Sequence, residues 1–275
     1  MRRILSLCVL LTSAALLVQC STNPATGRSQ FLMFEPPPEQ MEALGAQAQP
    51  QLTQEYGGEI ASPEVRSYVN RVGQSLAANV HSSYDHINWQ FIALESDIVN
   101  AFALPGGRVF ISRGLLERLS NESQLAGVLG HEIGHVTGKH VNERISQATA
   151  LEIGVSLTGQ LTESQLALMA ANMASSGYQL KFGRDQEAES DRLGVKYLVL
   201  AGYTPRGMFE VLNVLREASE GARQPEFMST HPHPETRMRI VTELLNGDYA
   251  AAANDPTLVV GELEYEREAL QYLRR

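Results

Sequence analysis

The sequence predicts an α+β fold that is mainly helical, with one small antiparallel sheet set directly ahead of a central helix. Three observations carry this. Apolar residues recur at steps of three and four over most of the chain, the mark of helices with one buried face. Between Ile87 and Ile111 that period drops to two, the spacing of strands. The run LAGVLGHEIGHVTGKH, Leu125 to His140, then returns to helical spacing around two histidines four residues apart.

Taken in order, residues 1–19 read as an export signal outside the fold. Arg2 and Arg3 precede the apolar run Ile4 to Val18, which is too short for a stable membrane span. Cys20 stands where a bacterial lipoprotein signal carries its acylated cysteine, with Leu17 three residues before it, although Gln19 departs from the small residue usual there. Acylation of Cys20 would make it a lipid anchor; a soluble periplasmic form is the alternative. Residues 20–38 are polar and end in Pro36-Pro37-Pro38, so a tether and extended lead-in are expected. One domain over 39–275 follows.

Gln40 to Tyr56 is helix-prone despite Gly45 and Pro50. Ser62-Pro63-Glu64 starts a second helix with a cap, a proline at the first position and an acid in the first turn. Ile87 to Ala93, Asn100 to Leu104 and Arg108 to Ser112 are the three strands, the last two joined through Pro105-Gly106-Gly107. An exposed edge of that sheet, Asn100, Ala101, Phe102 and Ala103, would take an extended peptide as an added strand. The central helix is expected over about Glu122 to Ile145, capped by Asn121 with Gln124 at its third position. Gly127, Gly130, Gly134 and Gly138 are costly inside a helix, and their spacing implies that something packs closely there. Ala148 to Met173 reads as one or two helices, Thr204-Pro205 opens another, Gly221 to Pro234 is a loop, and Glu235 to Leu245 is helical. Residues 262–275 are an amphipathic helix or a loosely docked tail.

The chain of 275 residues is 43% hydrophobic, enough for one well-packed domain. Its 31 acidic against 22 basic residues give a formal charge of -9 with no Lys/Arg-rich patch, which excludes nucleic acid as the expected partner.

The chemistry concentrates in His131-Glu132-Ile133-Gly134-His135. Residues four apart share a helix face, so His131 and His135 can present both imidazoles to one metal, and Glu132 is placed to handle a water there. Catalytic zinc takes a third protein ligand. Downstream, Glu187 and Asp191 are four apart and share a face while Glu189 points away, making Glu187 the candidate ligand and Asp191 an acceptor that orients a histidine ring. His140, about 140° around a continuous helix from His135, reads as a supporting residue beside the ligands. His81 and His86 read as solvated.

HEIGH, the downstream EAESD, NAFALPGG before the helix and the lead-in NPATGRSQF together resemble the zinc metallopeptidase family that includes HtpX, the CAAX prenyl proteases and the periplasmic quality-control proteases LoiP and BepA. The resemblance covers nearly all of the chain after the signal. It implies a zincin-type metallopeptidase domain holding one Zn2+ per chain, with Glu187 as third ligand and Glu132 as catalytic base. It also implies that His231, in Ser229-Thr230-His231-Pro232, lies near the zinc, either to stabilise the oxyanion or to cap the open metal position. Ser190 stands where members often have Ala. The implied activity is endopeptidase cleavage of unfolded or misassembled cell-envelope proteins. The implied location is the periplasm of a Gram-negative bacterium, anchored to the inner face of the outer membrane, with the outer-membrane assembly machinery as a partner. Lacking the membrane helices of HtpX and the long repeat tail of BepA-like members, the chain resembles the compact LoiP-like ones. A metal-bound chaperone or assembly factor with little proteolytic turnover is the alternative.

Overall fold

The computed structural model describes residues 20–31, 35–152, 161–175, 181–219 and 225–274. The export signal lies outside the described residues. Strands β1 (Cys20–Thr22) and β2 (Ser29–Phe31) form an antiparallel hairpin where only an extended lead-in is expected. Helix α1 (Pro38–Glu55) runs through both Gly45 and Pro50. Helix α2 (Pro63–Ala77) starts as its sequence predicts, with the Ser62 hydroxyl accepting from the Val65 N–H.

Strands β3 (Gln90–Leu94), β4 (Ala101–Leu104) and β5 (Arg108–Ser112) form one sheet in the order β3-β5-β4. The expected antiparallel sheet is corrected here to a mixed one. Strands β4 and β5 are antiparallel, turning at Gly106 and Gly107 with φ of 77° and 84°, but β3 pairs with β5 in parallel. A period of two identifies extended residues and says nothing of which strand becomes the neighbour or in which direction it runs. The alternation does decide the faces. Phe91, Ala93, Ala101, Ala103, Val109 and Ile111 join the core shared with the central helix, whereas Ile92, Leu94, Phe102, Leu104 and Phe110 join a second core under α1.

A short helix α3 (Arg113–Leu116) leads to the central helix α4 (Glu122–Thr137), whose Asn121 cap accepts from the Gln124 N–H at 2.9 Å. Helix α4 stops eight residues before the expected end at Ile145. Gly138 caps the helix with its N–H still on Gly134 O, Lys139 adopts a left-handed φ of 58°, and α5 (His140–Glu152) begins after that break. Beyond it lie α6 (Glu163–Ser175), α7 (Arg184–Leu200), α8 (Arg206–Ser219), α9 (Glu226–Thr230) and α10 (Pro234–Asn246). Helix α9 occupies part of the segment expected as loop. The final residues 262–273 are irregularly helical and docked, with Tyr265 fully buried and its hydroxyl donating to Leu116 O at 2.7 Å. No helix among the described residues is long and apolar enough to cross a membrane.

The costly glycines of α4 explain how α7 comes so close. A Cβ on Gly134 would sit 2.9 Å from Ser190 O and 3.0 Å from Ser190 Cα, and one on Gly130 would meet the Gly194 backbone at 3.4 Å. Gly134→Ala is therefore expected to push α7 away, at a cost of about 1–3 kcal/mol from overpacking. Because α7 carries Glu187, bound metal should fall with it, read by thermal melting and metal analysis on one sample.

Candidate active site

His131 and His135 lie side by side on α4 with their Nε2 atoms 3.0 Å apart. Glu187, in the first turn of α7, places Oε1 3.4 Å from His135 Nε2 and Oε2 3.6 Å from His131 Nε2. His231, which ends α9, brings its Nδ1 to 3.0 Å from Glu187 Oε1 and 3.2 Å from His131 Nε2. One ligand atom from each of these four buried residues lies within 4.8 Å of the others. Glu132 sits at the wall of this cluster, its Oε1 buried and without a hydrogen-bond partner.

Charge in the cluster is uneven. Burial, and after it the nearby Arg237, pushes the His131 imidazole down to about 4. Burial likewise takes His135 well below its ordinary value. Both rings are thus neutral at neutral pH, the form that offers a lone pair to a metal. Burial works against the charge of Glu187, but His231, Arg237 and the hydrogen bonds of His135 and His231 outweigh it and hold the carboxyl well below the usual range. Glu132 goes the other way. Burial raises it to about 7 against the pull of His231, Arg237 and the Ala103 N–H. Converging neutral nitrogens, an ionised carboxylate and an unsatisfied buried oxygen fit a divalent cation, and two His with one Glu is a known donor set for catalytic zinc.

Around these residues, Asp191 Oδ1 lies 2.9 Å from His131 Nδ1. His140 brings Nδ1 to 3.1 Å from His135 Nδ1, with its Nε2 2.9 Å from Glu189 Oε2. Glu189 does point off the Glu187–Asp191 face, toward His140. The strand residues fare differently. Ala101, Phe102 and Ala103 belong to β4, a terminal strand of the sheet, and their side chains are buried. The Phe102 ring stacks on Phe110 in the second core, and the Asn100 side chain donates to Tyr56 and Glu226. The Ala103 N–H is engaged by Glu132. The expectation that residues 100–103 take an extended peptide remains a proposal, with β4 at the end of the strand order. His81 and His86 are exposed, as expected. Cys20 begins β1; the helix break and Cys20 are far apart in sequence, and the hairpin joins them.

Sequence reasoning missed Arg237 on α10. It is buried, donates to both Asp191 oxygens at 2.9 and 2.6 Å, and places Nη1 3.0 Å from Glu187 Oε2. A signal was present: Arg237 stands one turn before the fully buried Val241, so a cation occupies an inward position of an amphipathic helix. Phe182 and Phe227, stacked on His135 at 3.9 Å and on His231 at 4.2 Å, were also missed.

A helix bearing H-E-x-x-H, met by a carboxylate from a later helix beside a small sheet, defines a zincin-type metallopeptidase site. The chain belongs to peptidase family M48, whose model matches residues 63–245. It is 32% identical over 189 residues to a protein named beta-barrel assembly-enhancing protease from Escherichia coli (strain K12), a match covering 65% of this chain and 38% of that protein. It is 30% identical over 174 residues to the mitochondrial metalloendopeptidase OMA1 of Arabidopsis thaliana, covering 63% of this chain and 35% of the relative. With OMA1 of Schizosaccharomyces pombe (strain 972 / ATCC 24843) the figures are 32% over 182 residues, 65% and 52%. The match thus spans well under two thirds of each relative's length.

Proposed function

We propose that this chain is a zinc-dependent endopeptidase that hydrolyses peptide bonds of unfolded or misassembled cell-envelope proteins. The carrying observation is the convergence of His131, His135 and Glu187 beside a buried carboxylate, Glu132, that has an unsatisfied oxygen. His131, His135 and Glu187 would hold zinc, which when bound would supply a Lewis acid for activating water at neutral pH and polarising a carbonyl. Glu132 takes the proton of that water and passes it to the leaving amine; a carboxyl raised toward 7 suits both halves of the task. The Ala103 N–H orients Glu132, Asp191 and Arg237 hold the His131 ring, and His140 supports His135.

The substrate class follows from the name of the bacterial relatives, which describes assembly of β-barrels. Export by residues 1–19, and anchoring through Cys20 to the inner face of the outer membrane, place the site in the periplasm beside such substrates and their assembly machinery. The test is zinc content and casein cleavage for wild type, Glu132→Gln and Glu187→Ala. Wild type should carry one zinc and cut casein, with the cut lost on chelation and restored by zinc. Glu187→Ala should lose both metal and activity. A wild type that binds no metal, or a Glu187→Ala that cuts normally, sinks the reading.

One observation favours the second reading, a metal-bound assembly factor with little turnover: His231 Nδ1 lies among the other three donor atoms, where an open site would leave room for water. In the peptidase reading His231 caps a resting site and withdraws when substrate enters. If the open form is populated at about 10%, His231→Ala should raise kcat/KM on the order of 10-fold. A fall instead would assign His231 to the oxyanion, and no cleavage in either protein would favour the assembly factor.

A further inference from the structure

We infer that the N-terminal hairpin β1–β2 is a positioning element of the active site, holding the break between α4 and α5 so that the His140 ring folds back onto His135. The inference rests on the peptidase reading above, whose mechanism uses nothing in the hairpin. His135 lies in the last turn of α4, and the carbonyls of Thr137 and Gly138 end that helix without continuing it. Side chains take them up. Asn23 Nδ2 donates to Thr137 O at 2.9 Å, the Tyr84 hydroxyl donates to the same oxygen at 2.5 Å, and Gln30 Nε2 donates to Gly138 O at 2.5 Å. Asn23 and Gln30 are 0% and 1% exposed, so these are interior contacts of a segment whose sequence reads as a tether.

The two residues also build the hairpin. Asn23 Nδ2 donates to Gln30 Oε1 at 3.2 Å, and Asn23 Oδ1 accepts the Ala25 and Thr26 N–H groups. From the turn, Arg28 pairs with Glu143 of α5 at 3.0 Å and with Glu189 of α7 at 3.1 Å. Glu189 in turn holds His140. The hairpin thus grips the end of α4, the start of α5 and the side chain on α7 that orients the ring.

Geometry at the break gives the grip its purpose. A continuous helix would turn His140 about 140° away from His135. Instead Lys139 takes a φ of 58°, a conformation that costs a residue with a side chain. The His140 ring then lies over Gly138, where an added Cβ would meet it at 2.7 Å, and reaches 3.1 Å from His135 Nδ1. An outer partner of this kind sets the orientation of a metal-binding imidazole.

The experiment uses the full chain with Gln30→Met, which keeps the length of the side chain and removes its N–H donors. Zinc affinity is measured by competition with a chelator, kcat and KM on casein, and melting temperature on the metal-free protein. Zinc binding should weaken about 10-fold or more, and kcat should fall with KM within about two-fold. Adding Lys139→Gly should recover much of both losses, because glycine takes a positive φ freely. Zinc affinity and kcat within about two-fold of wild type overturn the proposal, as does a loss that Lys139→Gly leaves untouched. If Gln30→Met does not fold, Arg28→Met, altering a side chain 40% exposed, carries the test: weaker zinc binding supports the proposal and unchanged binding overturns it. A wild type that neither binds zinc nor cuts casein fails the peptidase reading itself, whereas a wild type that does both alongside an unaffected Gln30→Met fails this inference alone.

Discussion

Glu132→Gln is expected to lower kcat by roughly 10²–10⁴-fold, the range for removing a general base, while leaving the metal bound. The amide keeps the shape of the carboxyl and lacks the lone-pair basicity needed to take a proton from water. His131, His135 and Glu187 are untouched, so zinc content should match wild type. The same variant has a second, independent signature in the metal-free protein. Burial raises the Glu132 carboxyl from 4.5 to about 7 in the folded chain. As pH rises the unfolded carboxyl ionises first, so Glu132 draws stability out of the native state between about 4.5 and about 7. Glu132→Gln removes that drain. Its melting temperature should equal wild type near pH 4.5 and exceed it above pH 7. A variant with normal turnover, or one less stable than wild type at pH 8, would contradict the assignment of Glu132 as a base whose burial outweighs its partners.

Arg237→Met is expected to destabilise the metal-free protein by about 3–5 kcal/mol, the cost of breaking a buried ion pair from one side. Arg237 is fully enclosed, forks onto both oxygens of Asp191 and also reaches Glu187. Removing it leaves two buried carboxylates, Asp191 and Glu187, without that cation. Arg237→Lys should recover little, since an ammonium lacks the planar fork that matches Asp191. Zinc would offset the loss at Glu187 but not at Asp191, so the metal-loaded variant should regain only part of its stability. Chemical denaturation with and without zinc measures both amounts. A loss below about 1 kcal/mol would show that Asp191 and Glu187 are not held charged by this residue.

Much of the site is legible one helix at a time. The spacing of His131 and His135, and of Glu187 and Asp191, assigns a shared face to each pair, and both pairs do face the same cluster. The glycines of α4 announce a close neighbour because a glycine inside a helix costs stability unless something uses the space, and Gly134 against Ser190 is that use. Less legible are features made by partners distant in sequence. The break after Thr137 depends on Asn23 and Gln30, more than a hundred residues earlier, so periodicity alone carries the helix on to Ile145. The parallel pairing of β3 with β5 depends on how the chain crosses between strands, which their alternation does not encode. Partners distant in sequence also fix the strand side chains: the pleat turns Phe102 into the second core, and Tyr56 and Glu226 hold Asn100.

The amino-acid order by itself determined which residues have metal-binding chemistry and which helix faces carry them, because backbone geometry of 3.6 residues per turn makes that a local matter. Only the tertiary structure decided that Arg237 meets His131 across 106 residues, and by what break the His140 ring returns to 3.1 Å from His135. Those meetings arise where separate helices pack, and close packing is a property of the whole core rather than of any stretch within it.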